Sequence, residues 1–181
     1  IIFTSDHGEG MGDHDYYFAH REFLYNGLIH VPLIIRFPEK PSEGKDIRSP
    51  VVQVDVLPTI LDLLSINSSR TFRGRHLLHP QEDREIFAET HVREGSKYAL
   101  IRNGLKLIQS DSGYELYDLQ NDFAETVNLV NDKTNVTVFA KVADLKRRLE
   151  AVRQEDALAL GKPIFRSGAE RKELRSLGYV Q

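Results

Sequence analysis

Ile1-Ile2-Phe3-Thr4-Ser5-Asp6-His7-Gly8-Glu9 is an apolar run that stops abruptly at two potential metal ligands and a glycine. Three apolar residues and a threonine suit a buried parallel strand. Asp6 and His7 then fall just past its carboxyl end. In open α/β sheets that edge binds ligands, because strand ends and the loops after them converge on one crevice. An adjacent Asp-His pair offers a divalent cation one hard oxygen and one imidazole nitrogen, and Gly8 turns the backbone without a side chain in the way. Taken alone, the tripeptide reads first as a turn that caps the strand. The rest of the chain has to decide.

Outward from this stretch, Gly10-Met11-Gly12-Asp13-His14-Asp15 reads as a glycine-rich polar loop shaped by positive-φ positions. Phe18 to Asn26 predicts a short helix with Asn26-Gly27 as its stop. Val31-Pro32-Leu33-Ile34-Ile35-Arg36-Phe37 is the second strand. Two buried-type strands joined by a helical crossover predict a parallel sheet covered by helices. Pro38 to Ser49 reads as an exposed loop. Asp55 is placed to cap a helix running to Leu64, with Leu57, Ile60, Leu61 and Leu64 on one face packed against the sheet. The loop Asn67 to His79 closes the first domain.

From Arg84 the pattern changes to four short strands: Glu85 to Glu89, Tyr98 to Arg102, Lys106 to Ser110 and Tyr114 to Tyr117. Asn103-Gly104 is a type I′ hairpin signal. These strands predict a small antiparallel sheet. A long helix from Asn135 to Leu160, with Val138, Val142, Leu145, Leu149 and Val152 in one stripe, should cover one face of it. A last short helix spans Gly168 to Leu177. The expected architecture is α/β, divided into residues 1–80, part of a sheet-and-helix layer domain, and residues 81–181, a small α+β subdomain.

Composition narrows the function classes. With 40% hydrophobic and 28% charged residues, the 181-residue chain is of globular type. A net charge of −3 gives no basic field for nucleic acid, and Lys146-Arg147-Arg148 reads as a solvated helix face. No apolar run approaches the roughly 20 residues of a membrane helix. The absence of cysteine excludes disulfides, thiolate metal sites and a cysteine nucleophile within these residues. The chain starts with Ile, directly in a buried-type strand, which predicts that its true N-terminus and any targeting signal lie upstream.

Asp6, His7, Glu9, Asp13, His14, Asp15 and His20 crowd one short span. Imidazoles with carboxylates suit a divalent metal, and a further histidine suits proton transfer or anion binding. His30 sits just before a strand, and His76, His79 and His91 are dispersed; all four read as structural, His91 with a cleft-lining role as the alternative because it lies near the small sheet's edge. Asn67-Ser68-Ser69 and Asn135-Val136-Thr137 fit the glycosylation acceptor pattern but read as chance matches.

The ordered set Ser5-Asp6-His7-Gly8-Glu9, Gly12-Asp13-His14, Tyr17-Phe18-Ala19-His20, Leu24-Tyr25 and Val31 to Ile35 resembles the second half of a sulfatase of the alkaline-phosphatase superfamily. Val54 to Asp62, Glu115-Leu116-Tyr117-Asp118-Leu119 with Asp122, Glu125, Asn128 and Leu129, and the tail Leu174 to Val180 resemble later family segments in the same order. The resemblance implies the C-terminal portion of an alkaline-phosphatase-like α/β/α sandwich followed by a small α+β subdomain. It further implies that Asp6 and His7 are ligands of one divalent cation, most often Ca²⁺. Many members carry Asn at the His7 position, and an imidazole there keeps Mn²⁺ or Zn²⁺, and a phosphoester or phosphonate substrate, open.

The family places a Lys or His near His20 to contact the sulfate and assist the leaving group. Spacing allows His20 or Arg21; His20 is favoured because it both binds an anion and donates a proton, whereas Arg21 only binds. His14 is a further substrate-contact candidate. The implied substrate is a small-molecule or carbohydrate sulfate ester, and the implied compartment periplasmic, secreted or lysosomal. The formylglycine motif of the family, Cys/Ser-x-Pro-x-Arg, is absent from these residues. The resemblance thus implies a nucleophile and further metal ligands upstream, and an inactive isolated chain. A phosphodiesterase or phosphonate hydrolase, or a catalytically dead binding module of the same fold, are the alternatives.

Overall fold

The computed structural model describes residues 1–18, 20–37, 44, 46–79, 84–92 and 95–159, with side chains to 155. The last short helix expected from the sequence and most of the loop 38–49 lie outside them. Ile1–Leu149 forms one compact unit, and a second begins at Glu150.

The opening strand β1 (Ile2–Thr4) pairs with β2 (Leu33–Ile35), Ile2 opposite Ile35 and Thr4 opposite Leu33. The pairing is antiparallel, not the parallel arrangement expected. A parallel partner requires the connection to run back along the whole strand. Here the Gly8 N–H donates to the Leu28 carbonyl at 2.7 Å, so the chain re-enters at the end where it left. The intervening helix α1 (Asn26–Ile29) has four residues, about 6 Å of rise, and makes no crossover. Phe3 and Ile34, a cross-strand pair read as buried, are 60% and 63% exposed, whereas Ile2, Leu33 and Ile35 on the other face are half-buried.

The helix expected over Phe18 to Asn26 is also displaced. Asn26-Gly27 begins α1 instead of ending a helix. The Asn26 backbone N–H donates to the Glu125 carboxylate at 2.6 Å, and its side-chain amide donates to the Phe123 carbonyl at 3.0 Å. Partners 97 to 99 residues away thus set the helix start.

Helix α2 (Val56–Leu63) follows a 3₁₀ turn, Gln53–Asp55. Asp55 does not cap α2 with its side chain. Its buried carboxylate accepts the Val52 N–H at 2.9 Å and the Arg75 N–H at 2.7 Å, and forms a two-pronged ion pair with the Arg84 guanidinium. Burial acts to raise its pKa, but the Arg84 bond and the two N–H donors outweigh it and hold the carboxyl below its usual range. Thr59, fully buried, accepts the Leu77 N–H at 2.9 Å and so ties the loop before Leu77 to α2. Of the expected apolar stripe, Leu57 and Leu64 are exposed.

Strands β3 (Ile86–Val92), β4 (Gly95–Arg102), β5 (Leu105–Ser110) and β6 (Gly113–Asp118) form an antiparallel meander, as the sequence predicts. The β4–β5 turn has φ of 50° at Asn103 and 76° at Gly104, both positive as a type I′ turn requires. Side-chain alternation gives the sheet two unlike faces. One carries Leu100, Leu107 and Leu116, all fully buried, and faces α3 (Val136–Ala159). Val138, Leu145 and Leu149 of α3 are buried, Arg148 pairs with Glu85 at 2.7 Å, and Lys146 sits over the Tyr114 ring.

The opposite face carries Ala88, Ala99, Ile108 and Tyr117 and packs on Leu24, Tyr25 and Ile29. Its polar members hold the same segment. Thr90 donates to the Arg21 carbonyl, Lys97 to the Glu22 carbonyl, and Lys106 to Asn26 Oδ1 at 3.1 Å, while Glu115 accepts from Tyr25 at 2.8 Å. The small sheet is therefore the mount for residues 21–29. No helix of the described residues is long and apolar enough to cross a membrane.

Candidate functional site

At the end of β1 the chain turns within a narrow space. An ideal Cβ on Gly8 would lie 2.0 Å from the Gly27 carbonyl oxygen and 3.1 Å from Leu28 Cα. Only glycine lets the strand end sit against α1. On the other side, the Gln53 amide donates to the carbonyls of Ser5 and Asp6, the latter at 3.0 Å. The turn is thus pinned by α1 and by the 3₁₀ turn before α2. Gln53 was not anticipated. Its only signal is that it is the one polar residue in Val51-Val52-Gln53-Val54.

Asp6 and His7 come together with His20. The Asp6 carboxylate is 85% exposed, and the His7 N–H, at 3.0 Å, is foremost in holding its pKa below the usual range. His7 Nδ1 lies 2.7 Å from the Gly8 carbonyl, which can only accept, so Nδ1 donates there and Nε2 is left on the other edge of the ring. That atom is 3.6 Å from Asp6 Oδ2. The His20 ring stacks on His7 at 4.5 Å and 8°. His20 Nδ1 is 3.1 Å from Glu9 Oε2, which orients the imidazole and leaves Nε2 on the opposite edge.

The loop after Glu9 is closed by the Phe18 N–H donating to the Gly10 carbonyl at 2.7 Å and by a bridge between Met11 and Tyr17. Gly12 has a φ of 115°, as expected of the glycines, but His14, Asp15 and Phe18 also take positive φ of 55°, 63° and 55°. Such values are uncommon outside glycine and concentrate where a loop's shape is functional. His14 does not join the His7–His20 stack: its contacts are with Tyr25, stacked at 3.6 Å, and the edge of Tyr117. Arg21 is exposed, and its recorded contact is through its carbonyl, which accepts from Thr90. Among the other histidines, His30 packs edge-on to Phe123, His76 pairs with Asp62 at 2.9 Å and packs near His79, and His91 bonds Ser96 opposite it, beside the connection between β3 and β4.

Beneath this surface lies a buried polar cluster. Lys106 and Glu125 are 0% and 1% exposed, with Nζ 2.6 Å from Oε1, off the line of a hydrogen bond. Burial pushes the Lys106 ammonium's pKa down, partly offset by Glu125 and Glu115. Burial, then the shared bond to Glu115, raises the Tyr25 and Tyr117 hydroxyls well above their usual range. Beside them a cavity of about 90 Å³ is lined by Tyr16, Phe23, Tyr25, Lys97, Ser110 and Glu115. Phe23, in its lining, is three residues along the chain from His20.

Asp6 and His7 fit one side of a cation shell. An imidazole whose second nitrogen donates to a backbone carbonyl is the usual state of a metal-bound histidine, and Asp6 Oδ2 and His7 Nε2, 3.6 Å apart, are close enough to meet one cation. Among the described residues no group of three or more His, Cys, Asp or Glu gathers in this way.

Residues 12–155 match a family profile described as N-sulphoglucosamine sulphohydrolase, C-terminal. The chain is 30% identical over 154 residues to the Escherichia coli K12 sulfatase YidJ, covering 80% of this chain and 30% of that protein. It is 29% identical over 180 residues to an arylsulfatase of Clostridium perfringens, covering 91% and 37%. It thus spans well under half the length of these relatives. Among solved structures it is similar in fold to a 2-O GAG sulfatase, with a TM-score of 0.70 at 23% identity over 88% of this chain and 37% of that one. A second, solved with D-glucosamine-2-N,6-O-disulfate as its substrate, gives a TM-score of 0.61 at 23% identity over 86% and 33%.

Proposed function

As this chain belongs to the sulfatase family, we propose that it is the C-terminal part of a metal-dependent sulfatase, with residues 1–80 closing the catalytic domain and residues 81–181 forming a smaller subdomain beside it. The observation that carries the reading is the Asp6–His7 pair: a carboxylate oxygen and an imidazole nitrogen held 3.6 Å apart, with the His20 imidazole stacked on the His7 ring. Asp6 Oδ2 and His7 Nε2 would hold the cation, Ca²⁺ first, with Mn²⁺ or Zn²⁺ admitted by the imidazole. When bound, the cation supplies Lewis-acid polarisation of the ester oxygens. A formylglycine outside these 181 residues would supply the nucleophile.

This chain's own work is positioning and proton transfer. Glu9 holds His20 by Nδ1, and His20 presents Nε2 to the sulfate and gives a proton to the departing ester oxygen. Arg21, next in the chain, adds positive charge for the anion. His14, stacked on Tyr25, is the further substrate-contact candidate on this loop. A carbohydrate sulfate is the substrate class we favour. Its support is the disulfated glucosamine bound by the structural relative and the polar, aromatic cavity whose lining includes Phe23, three residues after His20.

Full-length protein assayed on paired aryl sulfate and aryl phosphate esters tests the reaction; a clear phosphate preference overturns it. His7→Ala should lower cation affinity, and His20→Ala should lower turnover with metal retained. Equal metal content in wild type and His7→Ala contradicts the ligand assignment.

A further inference from the structure

Lys106 and Glu125 pose a question that the site does not answer. A buried ion pair is costly, and apolar residues of similar volume commonly serve stability as well or better. What this pair holds is the start of α1. Glu125 Oε2 accepts the Asn26 backbone N–H at 2.6 Å, Lys106 Nζ donates to Asn26 Oδ1 at 3.1 Å, and the Asn26 amide donates to the Phe123 carbonyl at 3.0 Å. Glu125 itself sits at a φ of 59°, a left-handed conformation kept in place by its surroundings.

Helix α1 is in turn the surface against which the Asp6–His7 turn rests. The next residue after Asn26, Gly27, presents the carbonyl oxygen that leaves no room for a side chain on Gly8, and Leu28 accepts the Gly8 N–H at 2.7 Å. A continuous set of contacts runs from the small sheet through Asn26 and α1 to the backbone that follows His7.

We propose that Lys106, Glu125 and Asn26 form a positioning latch: the small sheet, through its buried ion pair, fixes the start of α1 and thereby the separation of the Asp6 and His7 ligand atoms. The proposal rests on the cation reading of that pair. It makes these three residues positioning residues, and it gives the subdomain a part in setting the site.

The test uses the full-length protein with Ca²⁺ as the probe. The paired change Lys106→Met with Glu125→Leu removes the latch without leaving a lone buried charge, and Asn26→Ala removes its two side-chain bonds while the backbone bond to Glu125 stays. Leu149→Ala, in the opposite face's core, is the comparison for stability loss alone. Calorimetric Ca²⁺ affinity and hydrogen exchange at the Gly8 amide are read for each. The latch variants should lose about 10- to 100-fold in Ca²⁺ affinity and lose Gly8 amide protection, while Leu149→Ala, less stable overall, keeps both when measured well below its unfolding midpoint. Wild-type affinity and wild-type Gly8 protection in the latch variants overturn the proposal, as does an equal fall of both in Leu149→Ala. If wild type itself binds no Ca²⁺, the choice of Ca²⁺ for the site fails, and Gly8 exchange still decides whether the latch positions the turn.

Discussion

Replacing Gly8 by alanine places a methyl group 2.0 Å from the Gly27 carbonyl oxygen. Carbon and oxygen need about 3.3 Å, so the strand end and α1 must part by about 1.3 Å. Both are tied down, the strand end by Gln53 and α1 by Asn26, so neither retreats freely. Overpacking of this kind costs about 1–3 kcal/mol. The Gly8–Leu28 hydrogen bond, stretched past its range, adds about 1 kcal/mol. A loss of about 2–4 kcal/mol corresponds to a fall of about 4–16 °C in Tm for a domain of this size. A misplacement near 1 Å beside the reacting groups lowers turnover by about 100-fold. Urea unfolding followed by circular dichroism, with turnover of an aryl sulfate by the full-length protein, reads both. Gly44→Ala is the control, because a Cβ there meets nothing within 4 Å and should change stability by less than about 0.5 kcal/mol. If Gly8→Ala matches Gly44→Ala in unfolding free energy and in turnover, the packing argument is wrong.

Asp55 should govern acid stability. Its folded-state pKa is lowered, so its stabilisation is complete above the unfolded value of about 4 and is lost as pH falls through the folded value. A stability-against-pH series should show a shallower acid limb in Asp55→Asn than in wild type. Arg84→Leu strands the buried Asp55 carboxylate and should cost about 3–5 kcal/mol by chemical denaturation. Leu149→Ala empties a fully buried position of α3 and should cost about 2–5 kcal/mol with the helix retained by circular dichroism.

The four strands of the small sheet, its Asn103-Gly104 turn and the stripe of α3 were legible because each depends on local periodicity or on φ preferences carried by the residues themselves. The Asp-His-Gly run and its ordered companions downstream likewise carried the family. Tertiary contacts decided the rest. β2 runs antiparallel to β1 because Gly8 bonds Leu28, a contact absent from any local pattern. Asn26-Gly27 opens a helix because Glu125, 99 residues on, accepts its N–H. His14 and His20, alike as loop histidines in the sequence, part company because Tyr25 offers a ring face to one while His7 and Glu9 take the other. Sequence determines which groups are available and which short elements they favour; packing between distant segments selects which of them meet, because a hydrogen bond or a stacked ring forms only where the fold has already brought its partner.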